Sequence, residues 1–190
     1  GGSVLLSAGM TNSATGDVTF VNTTGTNVTL ETFGESFGGN VTFDATSAWI
    51  LVDGFKVTRD LTLTQGTFNT NGQTLNVGDD LRSDNNNTRS LNFNNSAVLI
   101  GDSATPGDVD FYINGNNMTF SATGGASITY KNIDPGNRSI RLRLYGDTPK
   151  ILPDLIFDDG TGAVVDNSVI EIRNGNNNIR NIFNDITVVQ

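Results

Sequence analysis

DLTLTQGTFNTNGQTLNVGDDL, residues 60–81, holds three short apolar runs: Leu61-Thr62-Leu63, Thr67-Phe68 and Leu75-Asn76-Val77. Gln-Gly and Asn-Thr-Asn-Gly separate them, and Gly-Asp-Asp closes the stretch. The runs alternate apolar and polar residues, the period of a strand with one buried face. Each is long enough for one short strand and too short to make a sheet alone.

Runs of this kind fill the chain on both sides, from Val18-Thr19-Phe20 and Val41-Thr42-Phe43 to Ile128-Thr129-Tyr130 and Ile186 to Val189. Between them lie NTTGTN, SDNNNT, DSATPGD, DPGN and NGNNN, all turn chemistry. No segment carries a helical period, so the sequence predicts an all-β protein. The runs recur roughly every 7 to 13 residues, with a looser similarity at about 20 to 24, which is the range of stacked coils. Met118-Thr119-Phe120 precedes Ile128-Thr129-Tyr130 by the spacing that separates Val18-Thr19-Phe20 from Val28-Thr29-Leu30.

Two architectures fit: a right-handed parallel β-helix, favoured because the strands are so short, and a β-sandwich. In the β-helix, residues 1–190 form a single solenoid segment of roughly eight coils, on the order of 40 Å long, with Asn at corners stacking as amide ladders. Neither terminus reads as a polar cap, and IFNDITVVQ at the end resembles a strand ready to be continued. The opening GGSVLLSAGM has no Met before it and no signal-peptide pattern, so a fragment of a longer chain is the expectation.

Hydrophobic residues make up 36% of the 190, too few for a thick layered core. The chain has no cysteine, which removes disulfides and thiolate metal sites. It has no histidine, which removes the commonest general base and every His-containing triad. A net charge of -9, from 11 basic against 20 acidic residues, disfavours a nucleic-acid partner. No apolar run approaches the ~20 residues of a membrane span, so no membrane insertion is expected.

Candidate chemistry is confined to small clusters. Asp108 and Asp110 lie two apart, on one face of a strand, and could be half of a calcium site or of a polysaccharide-cleaving pair. An exposed strand face is the competing reading. Asp79-Asp80 and Asp158-Asp159-Gly160 sit in turn-like settings that also suit calcium. Arg141 and Arg143 alternate with Leu142 and Leu144, with Arg138 nearby, and form either a basic patch for an acidic glycan or a solvated face paired with acids. Trp49 belongs to an apolar run and reads as core, while Tyr112, Tyr130 and Tyr145 are core or sugar-stacking platforms.

LTLTQGTFNTNGQTLNVGDDL resembles a phrase recurring in very large cell-surface adhesins of gliding and environmental Bacteroidetes. Leu61–Leu63, Gly66–Phe68, Asn69–Gly72 and Leu75–Gly78 carry it, and LPDLIFDDG, Leu152 to Gly160, resembles the same family's coil opening. The resemblance implies an extracellular, cell-surface adhesin segment exported by type IX secretion, in some relatives serving gliding motility. It implies no catalytic residues, and as partners it suggests surface polysaccharide or other surfaces and neighbouring segments of the same long chain. Asp102-Ser103-Ala104 resembles the O-glycosylation signal of Bacteroidetes secreted proteins, which makes Ser103 a candidate glycan site. A polysaccharide lyase or glycoside hydrolase on the same β-helix, and a phage or viral fibre segment, are the alternatives.

Overall fold

The structure, a computed structural model, describes residues 2–102, 107–131, 139–146, 149–158, 169–175 and 181–189. Ser103, Arg138 and Asp159 lie outside these residues. The described residues form twenty strands and no helix. All strand pairings are parallel. The chain is a parallel β-solenoid of about six turns, roughly matching the eight or so expected.

Three walls run along the rod. The first stacks Val18–Asn22, the starts of Val41–Leu51 and Leu61–Asn69, then Leu81–Asp84, Val109–Asn114, Ser139–Leu144 and Val169–Asn174. The second stacks Val4–Leu5, Val28–Glu31, the ends of the same two long strands, Arg89–Asn94 and Met118–Ala122. The third runs from Ser36–Phe37 through Phe55–Val57, Leu75–Val77, Ala97–Ile100, Ser127–Lys131 and Asp154–Asp158 to Ile186–Val189.

Register explains the coil count. On the first wall Val18 pairs with Val41, Val41 with Leu61 and Leu61 with Leu81, steps of 23, 20 and 20 residues. Beyond that Leu81 pairs with Phe111, Val109 with Ile140 and Ile140 with Ile170, steps of 30, 31 and 30. The later coils carry longer corners, so the same chain makes fewer turns. The equal spacing noted for Val18/Val28 and Met118/Ile128 conceals a change of wall. Val18 and Val28 lie on the first and second walls, Met118 and Ile128 on the second and third.

Alternation turns one row of each wall inward. Val41, Leu61, Leu81, Phe111 and Leu142 form one fully buried column, and Val57, Val77, Ile100 and Tyr130 another. In the lower coils the core is aromatic: Phe43 stacks on Phe20 at 5.1 Å and on Phe68 at 4.5 Å, with Trp49 5.3 Å from Phe20. Trp49 and Tyr130 are therefore core residues, Tyr130 stacked on Phe157 at 5.1 Å.

The sequence suggests separate strands at Leu61–Leu63 and Thr67-Phe68, but the chain crosses the corner within one strand, Leu61–Asn69. Gly66 permits this with φ 80°. A Cβ there would collide with the carbonyl oxygens of Ala45 and Ser47 in the coil below.

The two ends differ. At the lower end Val4–Leu5 pairs with Leu30-Glu31, and Val4 and Leu6 pack on the core. The Asn12 N–H donates to Glu35 Oε2 at 2.7 Å and the Gly38 N–H to Ala14 O at 3.0 Å, so the N-terminal segment covers the first coil. At the upper end Ile170, Ile172, Ile186 and Val188 continue the inward columns, yet are 41%, 43%, 45% and 57% exposed.

Gly66→Ala combines a left-handed backbone with a backbone collision and should cost about 2 kcal/mol or more in urea denaturation. Gly124→Ala, where nothing lies within 4 Å of the added carbon, should stay within about 0.5 kcal/mol of the parent.

Candidate functional site

Four of the acids singled out in the sequence, Asp79, Asp80, Asp108 and Asp110, gather at one corner of the rod. The residue before each first-wall strand is Asp17, Asn40, Asp60 and Asp80 in successive coils, and Asp110 stacks on Asp80. The first four of these side chains each accept the backbone N–H of the next coil. The Asn40 N–H donates to Asp17 Oδ1 at 2.9 Å, Asp60 to Asn40 Oδ1 at 3.2 Å, Asp80 to Asp60 Oδ1 at 3.1 Å and Asp110 to Asp80 Oδ1 at 2.6 Å. A corner N–H with no strand partner is satisfied this way by a short side chain with an oxygen at the right reach. The expected amide ladder thus takes the form of a mixed Asp/Asn column. A true amide pair occurs elsewhere, where Asn94 Nδ2 donates to Asn69 Oδ1 at 2.6 Å.

The upper part of the column is buried, Asp80 at 4% exposure and Asp110 at 1%. Arginines from the outer row of the same wall cover it. Arg82 pairs with Asp80, Arg141 Nε donates to Asp110 Oδ1 at 2.7 Å, and Arg143 Nη2 binds the other Asp110 oxygen. Arg141 Nη1 also reaches Asp108 Oδ2 at 2.8 Å, and the Ser139 N–H holds Asp108 Oδ1 at 3.1 Å. Asp108, Asp110, Arg141 and Arg143 are therefore one ion-pair cluster. Arg143 also sits over the Tyr112 ring at 4.5 Å, and Tyr145 meets Tyr112 edge-on at 5.7 Å, so these two tyrosines stand on the outer wall.

Asp79 and Asp80 come within 4.8 Å of Asp60, measured between carboxylate oxygens, the one such group of three among the described residues. These carboxylates could hold a calcium ion, with water supplying the remaining ligands. Asp60 was missing from the sequence candidates. The signal was present, because a 20-residue coil sets Asp60 beneath Asp80. Asp158 ends the third-wall strand several coils above Val77, with Lys131 as its strand partner, and is not part of this group of three.

A second feature has no sequence signature. A recess of about 460 Å³ opens at the corner between the first and second walls, bounded by Ala45–Ser47, Gln65–Thr67, Thr88–Ser90 and Asn117–Thr119. Beside it Arg89 is 1% exposed and holds the neighbouring loops together. It donates to Asn87 O, Ser83 Oγ, Asn114 O and Asn116 O at 3.0–3.1 Å. Comparison with protein families, curated proteins and solved structures gives no match for this chain.

Burial raises the pKa of Asp80 to about 6, against the opposing pull of the Asp110 N–H and Arg82. The fold thus favours protonated Asp80, and its share of stability, full below about pH 4, is lost as pH rises through 6. Asp80→Asn, which copies the Asn40 rung, should remove that dependence and gain on the order of 2 kcal/mol at pH 7. Urea denaturation at pH 4 and pH 7, with chelator present, measures both effects.

Proposed function

We propose that the chain is a structural and adhesive segment of a large extracellular cell-surface protein, without catalysis of its own. The observation that carries this is the rod itself: three walls of parallel strands stack coil on coil along one axis, and the acids and arginines of its outer wall are taken up by one another. Length with a long side wall is what such a rod offers. Ile172 and Val188 are 43% and 57% exposed on strands that, among the described residues, are paired on one side only, which favours self-association of the chain. The partners proposed for the side wall are polysaccharide and other surfaces.

The polysaccharide-cleaving alternative draws on the cluster of Asp108, Asp110, Arg141 and Arg143. Against it, Asp110 has both oxygens held by guanidinium groups and is 1% exposed, out of a substrate's reach. Incubation with acidic and neutral polysaccharides, followed by new reducing ends, should give no product. Turnover abolished by Asp108→Asn would establish the enzyme instead.

Two measurements test the proposal itself. Beads carrying the chain should be retained on polysaccharide-coated glass under flow, and passage at the rate of bare beads would reject adhesion. In sedimentation velocity the chain should self-associate as concentration rises, and Ile172→Lys with Val188→Lys should hold it monomeric. A stable trimer unaffected by those changes would favour the fibre reading.

A further inference from the structure

The geometry points to the corner recess as a binding site for a neutral glycan strand lying along the rod axis; this deepens the adhesive reading and rests on it. The recess arises from the change in coil length. In the two 20-residue coils the chain rounds this corner without leaving its strand, at Thr46-Ser47 and at Gly66. In the two coils above, the same corner carries the loops Asn85–Asn87 and Gly115–Asn117. These loops stack on each other, with the Asn116 N–H donating to Asn86 Oδ1 at 2.9 Å and Asn117 Nδ2 to Asn86 O at 3.0 Å. Asn85 and Asn87 are tied down onto Thr64 O at 3.0 and 3.1 Å. A tight corner beneath an anchored ridge leaves a permanent hollow.

Its chemistry selects the ligand. In strand register Thr67 lies beside Ser90 and Ser90 beside Thr119, which sets one hydroxyl per coil at a spacing of about 4.8 Å. The side chains of Gln65, Thr67, Thr88 and Ser90 line the hollow, are half-buried or exposed, and make no hydrogen bond to the described residues, which leaves their donors and acceptors for a ligand. Gly66 and the methyl groups of Thr46, Thr67, Thr88 and Thr119 line the rest of the hollow and suit the C–H face of a sugar, with Ala45 and Met118 buried beneath at 2% and 1% exposure. The single charged side chain in the lining is Arg89, whose guanidinium is buried and taken up by Ser83 Oγ and three carbonyls. Hydroxyls and an amide around an apolar patch match a polyhydroxylated, uncharged chain. The protein's net charge of -9 repels a polyanion. Without an aromatic platform each site binds weakly, and repetition along a surface supplies avidity.

Amide NMR of the whole chain, titrated separately with cellohexaose, maltohexaose, mannohexaose and hexagalacturonate, tests this. At least one neutral hexaose should shift Thr46-Ser47, Gln65–Thr67, Thr88–Ser90 and Asn117–Thr119, and the galacturonate should not. Ser90→Tyr, which fills the hollow from a strand position that favours Tyr, should weaken that binding about tenfold or more while the thermal midpoint holds. Silence from every neutral hexaose, shifts centred on Tyr112 and Tyr145, or unchanged binding by Ser90→Tyr would each overturn the site. Beads retained on polysaccharide despite such a result would leave the adhesive reading standing, and loss of both would end it.

Discussion

The hydrogen bonds between one coil and the next govern this fold. Val18, Val41 and Leu61 each donate a backbone N–H to the carbonyl preceding the equivalent residue one coil on, at 2.8–2.9 Å. No strand in the chain is long enough to be stable alone, so each depends on the neighbour above and below. From that dependence the rest follows. Parallel register stacks like side chains into columns, columns build the axial core, and the core stays thin enough for a chain with few apolar residues. The same rule makes any uncovered coil structurally costly, and beneath the first coil the segment from Val4 to Ala14 meets that cost with backbone and side-chain contacts.

Stacking imposes a further condition at the first corner. An oxygen-bearing residue recurs there because each coil presents an N–H that must be satisfied, and the answer at one level lies directly over the answer at the next. Repeated carboxylates would repel one another. One rung is the neutral Asn40, and arginines two residues along the strand, or one coil up, clamp Asp80 and Asp110. The clustering of acids with arginines is thus a product of column geometry before it is anything else. Interaction with solution falls to the outer wall and to the hollow where coil length changes.

Strand positions, the all-β class and the coiled stacking were legible in the alternation around Leu61–Val77, because a period of two repeated at about 20 residues has few structural solutions. Trp49 was recognisable as core from its apolar neighbours. The continuous strand through Gly66 was not, since Gln-Gly reads as a turn and only the coil below shows why the chain needs a left-handed residue there. The arginine clamp on Asp110 was only partly legible. Arg141 and Arg143 stood out by alternation, but their partners lie one coil away, a distance that the change from 20- to 30-residue steps obscures. The recess is a difference between coils, and no short stretch of sequence can contain it.

Because the bonds that join coils point along the rod, tension applied between its ends does not load them together. It opens the outermost coil first and then the next, as a zipper yields one tooth at a time. Each coil occupies about 4.8 Å of the rod when folded. Its 20 to 31 residues reach roughly 70–110 Å when drawn out. A rod made this way lengthens many-fold under pull, one coil at a time, and absorbs mechanical work before the chain itself is strained.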